Sequence, residues 1–306
     1  MRSQIRIEGG ATGPSGASGR RQRPFHGIFR VAILYALLVF FAILTAVPFV
    51  WMVTSAFKSE ADFFSSLFLP RGHGFLGVAW DQLTLDNFRR LFREVPMARG
   101  FLNSLFLASV ASLGATLCGA MGGYALSKFQ FRGRTWLTSL VLVTVVLPLP
   151  LLLAPRFELI YHLHLLNTYA GYLLPQLAPA FGVFLFRQAM LNSVPAEMIE
   201  SARLDGCGEI RIFTTLVLPL VRPMIGAFII ITFLGVWNDY IGPQIFIQAP
   251  GRQPLAVLLA GMSGAYEMDY GLITAGTLLS VAPIMCLFLL LQREFISGLT
   301  AGTVKG

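Results

Sequence analysis

Charge is scarce in this chain. Asp, Glu, Lys and Arg make up 12% of its 306 residues, where soluble domains carry about 25%. That leaves too little charge to cover a soluble surface of this size. With 55% hydrophobic residues and a mean hydropathy of +0.69, the chain is expected to be solvated largely by lipid. Cysteine is scarce too. Cys118, Cys207 and Cys286 lie far apart, which excludes a disulfide scaffold and a paired-cysteine metal site. Four histidines are too few for a histidine-rich metal transporter, and His162 and His164, two apart, point to different helix faces. The chain also lacks a glycine-rich loop ending in Lys-Ser/Thr, so it carries no P-loop signature. No nucleophile, metal cluster or paired carboxylate emerges, so no catalysis is expected of this chain alone. The net charge of +8 by itself fits nucleic acid, but beside the apolar content it points to a basic membrane protein and no nucleic-acid partner.

What is present is a series of long uncharged runs. They lie between Arg30 and Lys58, Arg99 and Lys128, Arg134 and Arg156, Glu158 and Arg187, and Asp269 and Arg293, and from Pro223 to Gly251 only Asp239 is charged. A bilayer core needs about 20 apolar residues as helix. The expectation is an all-α integral membrane protein with six transmembrane helices near 30–54, 101–127, 135–155, 167–186, 223–247 and 271–291. The runs are too long and continuous for barrel strands. The first begins too late and lacks a small-x-small site, so it does not read as a cleaved signal peptide. Residues 1–24 read as a disordered basic tail, and 25–306 as one transmembrane domain.

Positive charge sets the orientation. With both termini in the cytoplasm, the inside segments hold fifteen Lys plus Arg and the outside segments eight, six of these in the long 55–100 segment. Long segments weigh less in this rule. The expected location is a plasma membrane, with both termini cytoplasmic. Within 55–100, Leu85, Phe88, Leu91 and Phe92 recur at near-helical spacing. They predict a short amphipathic helix that either lies on the outer leaflet or meets an external partner.

Polar residues inside spans mark candidate pathways. Trp237, Asn238 and Asp239 stand together in the fifth span. Asp239 reads either as pore-facing or as an interfacial or capping residue beside Gly242-Pro243. Tyr124, Asn167 and Tyr169 are weaker pathway candidates. Asn103 and Ser104 are expected to tie helices together. Pro148, Pro150 and Pro155 predict a broken or kinked third span, and Pro175 and Pro179 the same in the fourth. Gly119 and Gly123 form a small-xxx-small packing face.

The longest interior loop, 192–219, joins spans four and five. Ser193 reads as an N-cap, Pro195 suits a first turn and Glu197 adds early negative charge. The expected helix runs from about 195 to 204, with Gly206 ending it. Glu200 and Arg203, three apart, are close enough to pair. Ile210, Phe213, Thr214, Val217 and Leu218 form a second helical face that stops at Pro219. This helix–turn–helix either seals the bundle or docks another body.

Glu200-Ser201-Ala202-Arg203-Leu204-Asp205-Gly206, with Ile212-Phe213 and the run Leu218-Pro219-Leu220-Val221-Arg222-Pro223, resembles the EAA loop of ABC-importer permeases. Ser201 and Cys207 replace alanines of the pattern. Asn103-Ser104, Trp237-Asn238-Asp239, Gln292-Arg293 and Gly298-Leu299-Thr300-Ala301-Gly302-Thr303-Val304-Lys305-Gly306 fit the carbohydrate-uptake branch, in particular the second membrane subunit of maltose-type permeases. The resemblance covers about residues 30–306. It implies a cytoplasmic coupling helix, with Glu200 meeting basic or polar groups of a separate ATPase, Gly206 as the turn, and Ala202 and Leu204 as packing contacts. Arg203 and Asp205 belong to the same coupling segment. It also implies a second, similar permease as heterodimer partner, two ATP-binding subunits that hold ATP and Mg, an extracytoplasmic solute-binding protein meeting loops such as 248–270, and a sugar or polyol as substrate. No cofactor is expected in this chain. Lys305 reads either as a solvated positive-inside residue or as part of the ATPase interface.

Two other readings stay open. A secondary transporter would work without an ATPase and usually shows repeated halves, which are not evident here. A membrane scaffold would transport nothing.

Overall fold

Helices follow from the sequence wherever an apolar run is long, and proline ends some of them while Pro48 and Pro283 lie inside others. The computed structural model describes residues 24–60, 62–262 and 269–300. The proposed tail, apart from Pro24, and the C-terminal residues 301–306, Lys305 included, lie outside the described residues. Two units are distinguished, Met1–Val50 and Trp51–Gly306. In the first, helix α1 (Pro24–Ala56) is exposed from Arg30 to Val50, an apolar surface suited to lipid.

The second unit begins at the end of α1. A non-regular segment leads to α2 (Asp86–Glu94) and the long α3 (Met97–Lys128). Then come α4 (Arg134–Val146), α5 (Leu153–His162), α6 (Tyr169–Leu173) and α7 (Ala180–Ser193). A chain of short pieces follows: α8 (Ala196–Leu204), α9 (Glu209–Ile212), a π turn at Phe213–Val217 and α10 (Leu218–Leu220). The series ends with α11 (Arg222–Trp237), α12 (Ile241–Phe246), α13 (Leu255–Gly261) and α14 (Tyr270–Thr300).

Among the described residues, four helices are long and apolar enough to cross a membrane: Arg30–Ala56, Met97–Lys128, Tyr169–Ser193 and Tyr270–Leu290. The number rises to six if each of two bent pairs counts as one span. The third span expected near 135–155, with the break predicted from its prolines, is found as Arg134–Val146 and Pro150–His162, bent by 102°. Pro148 and Pro150 supply no backbone donor and disfavour helix before them. The expected fifth span, 223–247, is interrupted between Trp237 and Ile241, and a bend precedes it. Arg222–Trp237 is one helix, and it meets Glu209–Leu220 at 81°. The bend falls at Val221 (φ −101, ψ 14). Pro223 has no N–H to give the Pro219 carbonyl, yet suits the first turn of a new helix.

Helices α3 and α7 share an intimate joint, and glycine permits it. A Cβ on Gly119 would lie 3.3 Å from the backbone of Gly182, and one on Gly123 would lie 2.7 Å from the Arg187 nitrogen. The small-xxx-small reading of α3 is thus the actual packing face. Two apolar clusters hold the bundle. One gathers Leu91, Met97, Leu107, Tyr172, Phe233, Trp237 and Phe246. The other gathers Tyr124, Phe186, Met190, Ile199, Ala202, Ile212, Phe213 and Phe228.

The predicted amphipathic helix exists as α2, but it does more than lie on a surface. Leu91 is fully buried in the first cluster, and Arg90 bridges Asp269 at 2.7 Å. Leu85 and Phe92 remain exposed.

Candidate functional site

Helix α8 is built to be rigid and two-faced. Pro195 stands just before it with extended backbone (φ −62, ψ 142), Glu197 lies in its first turn and Arg203 in its last, so both charges complement the helix dipole. Ser193 is not the N-cap expected from sequence. It is the last residue of α7, because the helix before Pro195 runs further than the predicted end at 186. Gly206 ends α8 with φ +79, a conformation that L side chains rarely adopt. The Cys207 N–H donates to the Ala202 carbonyl and the Gly206 N–H to that of Arg203, each at 3.0 Å. This pair of bonds is a Schellman cap, and it satisfies carbonyls that the helix end would otherwise orphan.

The two faces differ sharply. Ile199 and Ala202 are buried in the second cluster. Ala202 therefore packs on the bundle itself, where the resemblance implied a contact with a partner. Leu204 is 90% exposed and Ile210 82% exposed, and Glu197, Glu200, Ser201, Arg203, Asp205 and Gly206 are exposed as well. So the loop seals the bundle with one face and offers the other. The expected Glu200–Arg203 ion pair is not the one formed. Arg203 Nε donates to Glu209 Oε1 at 2.6 Å, which leaves the Glu200 carboxylate on the outer face. Glu209 Oε2 also accepts from the Tyr124 hydroxyl at 2.8 Å, and the Arg203 guanidinium lies over the Phe129 ring at 5.5 Å. The Arg203 bond, chiefly, holds the Glu209 carboxyl below the usual glutamate range, against the opposing effect of desolvation.

The trio at the end of α11 is brought together in sequence but not in role. Trp237 is buried, and its Nε1 donates to the Ser280 carbonyl at 3.1 Å. Asn238 is exposed, with its amide nitrogen turned back to the Leu234 carbonyl at 2.9 Å. Asp239 caps the break that follows. Its Oδ1 accepts from the Gly242 N–H at 3.0 Å and its Oδ2 from the Tyr172 hydroxyl at 2.9 Å. Of the two sequence readings of Asp239, the capping one matches these bonds. A cleft of about 80 Å³ lies beside Trp237 and Asn238.

Asn103 and Ser104 tie elements as expected. Asn103 Nδ2 donates to the carbonyls of Gly251 and Gln253 at 3.2 and 3.0 Å, its Oδ1 accepts from Tyr169, and Ser104 Oγ accepts the Leu255 N–H at 2.7 Å. Asn167 joins the same region, accepting from the Gln248 N–H at 2.7 Å. Sequence reasoning missed Glu209, Tyr172 and Arg156. Arg156 reaches the Tyr172 carbonyl at 3.1 Å and covers the Phe246 ring. The available signal was a charge at the edge of an apolar run, which marks a group that needs a partner.

These features define a class, an all-α multi-pass membrane protein with up to six candidate spanning helices among the described residues. The chain belongs to the family of binding-protein-dependent transport system inner membrane components, whose model matches residues 101–294. It is thus a membrane-spanning permease subunit and not itself an ATPase. Family membership supports partnership with a homologous permease, ATPase subunits and a solute-binding protein. The chain is 34% identical over 268 residues to the arabinooligosaccharides transport system permease protein AraQ of Halalkalibacterium halodurans, covering 87% of this chain and 94% of that one. It is 30% identical to the lactose transport system permease protein LacG of Rhizobium radiobacter, over 89% and 96% of the two chains. Its fold matches a chain of a bacterial ABC transporter that imports the acidic polysaccharide alginate, with a TM-score of 0.71, 22% identity, and coverage of 92% of this chain and 100% of that one.

Proposed function

We propose that this permease serves an ATP-driven carbohydrate importer, and that α8 is its coupling helix, seated on the cytoplasmic side in a cleft of a separate ATPase. The transport roles in the names of the relatives, arabinooligosaccharide and lactose, support a sugar or related polyol as substrate. The long uncharged runs support six spans, the charge distribution supports cytoplasmic termini, and the family supports a plasma-membrane location. The single observation that carries the coupling role is the division of α8. Ile199 and Ala202 anchor it in the bundle, while Leu204 stands 90% exposed beside Glu200 and Asp205. An apolar side chain offered in this way among charges suits a protein interface.

The translocation pathway is shared with a second, similar permease. The cleft at Trp237 and Asn238, about 80 Å³, is well below the roughly 300–1,000 Å³ of small-molecule sites. Within the trio, exposed Asn238 is the proposed substrate contact, and Trp237 and Asp239 hold the helix end that carries it. Two ATP-binding subunits and an extracytoplasmic solute-binding protein complete the assembly.

The test is to replace Glu200 by alanine and co-purify the chain with its ATPase. ATPase recovery or coupled uptake should fall while membrane insertion stays normal. Normal recovery and normal uptake would remove Glu200 from the coupling surface. Labelling that placed 196–204 outside the cell would end the importer reading.

A further inference from the structure

We infer that Glu209 is a positioning residue, a clamp through which movement of α8 is delivered to the transmembrane helix α3. This rests on the proposal that α8 docks an ATPase. It goes further by naming where the movement leaves the loop.

Three links converge on Glu209 and its neighbours. Arg203, in the last turn of α8, donates to one carboxylate oxygen at 2.6 Å. Tyr124, in the last two turns of α3, donates to the other at 2.8 Å. The third link bypasses the carboxylate, since the Arg203 guanidinium covers Phe129, whose ring stands edge-on to Tyr124 at 5.4 Å. Arg203, Glu209, Tyr124 and Phe129 therefore close a ring of contacts between α8, α9 and the end of α3. Tyr124 is 5% exposed and also packs on Phe213 at 5.4 Å, where the chain takes its π turn, a feature often found at functional sites. Charge-assisted bonds of this kind are short and directional. A carboxylate that accepts from two helices at once resists their sliding in a way that apolar contacts alone do not. The Schellman cap at Gly206 adds stiffness between Arg203 and Glu209, so a push on the exposed face of α8 is not absorbed by the turn.

The experiment uses the assembled complex of this chain with its partner permease and ATPase subunits. Hydrogen exchange is followed at 196–204 and at 120–128, with and without a non-hydrolysable ATP analogue. In the wild type, both segments should respond to the analogue. In Tyr124→Phe, which loses one hydroxyl and keeps the ring, and in Glu209→Gln, the response at 196–204 should persist and that at 120–128 should fall, with only the aromatic link left to carry it. Should Glu209→Gln fail to assemble, Tyr124→Phe alone decides the matter. A wild-type response at 120–128 in Tyr124→Phe would overturn the clamp. Absence of any response at 196–204 in the wild type would instead overturn the docking reading on which the clamp rests.

Discussion

Replacing Gly123 by alanine should separate two spans. A Cβ at this position would lie 2.7 Å from both the Arg187 backbone nitrogen and the Phe186 Cβ, and 2.9 Å from the Phe186 carbonyl carbon. Carbon atoms pack best at about 3.5–4.0 Å, so the approach is short by roughly 0.6–1.3 Å. Backbone atoms cannot rotate away, and Phe186 is fully buried against Phe228. The helices must therefore move apart. Overpacking of this kind costs about 1–3 kcal/mol, which is about a 5- to 140-fold shift toward separated helices at 1.4 kcal/mol per factor of ten. Gly235→Ala is the internal control. It lies in α11, where a new Cβ meets nothing within 4 Å, and removing a helical glycine gains about 0.5–1 kcal/mol. Thermal unfolding of the detergent-solubilised chain should thus move in opposite directions for the two variants. Equal midpoints, or a Gly123→Ala protein as stable as the wild type, would refute the argument that α3 and α7 meet backbone to backbone.

Tyr172→Phe should remove one bond to the Asp239 carboxyl and cost about 1.5–3 kcal/mol. It should lower the melting midpoint and leave substrate affinity unchanged. Lost affinity at unchanged stability would put the pair in the pathway. A pH dependence follows from Glu209, which faces Arg203 and Tyr124. Because its folded pKa is lowered, its stabilising contribution is complete above the unfolded value of about 4.3 and is lost as pH falls through the folded value. Exchange protection of 196–204 should hold at neutral pH and decline only in acid below that value. Other carboxylates titrate there too, so the difference between wild type and Glu209→Gln is the quantity to measure, and no difference would exclude the clamp as the source.

The long helices were legible because length and hydropathy dictate them without reference to neighbours. Gly206 was legible for a similar local reason, since the loop needs a left-handed residue there. The errors share a different cause. Glu200 and Arg203 satisfy the helical pairing rule, but Arg203 finds Glu209 beyond the turn, and a local rule cannot see a partner that only the Schellman cap brings near. Ser193 has the side chain of a cap and stands before Pro195, but α7 runs through it, gaining stability from burying Phe186 and Met190. Asp239 was conspicuous from its charge, but its capping role depends on Tyr172, 67 positions away. Contacts of that separation have no periodic signature.

The order of broken and unbroken helices also has a mechanical consequence. The third candidate span bends by 102° and the chain bends by 81° where it enters the fifth, and a bent helix dissipates axial force at its break. Helix α3 is continuous from Met97 to Lys128. Its Asn103 and Ser104 hold the 251–255 segment, and its Tyr124 holds Glu209. At 1.5 Å per residue, Asn103 and Tyr124 are about 32 Å apart along the axis, close to the roughly 30 Å thickness of a bilayer core. If the proposed clamp operates, a displacement imposed there would reach the opposite end of α3 through one stiff rod, without crossing a break. Because α3 also carries the glycine joint to α7, that displacement must either take α7 with it or open the joint.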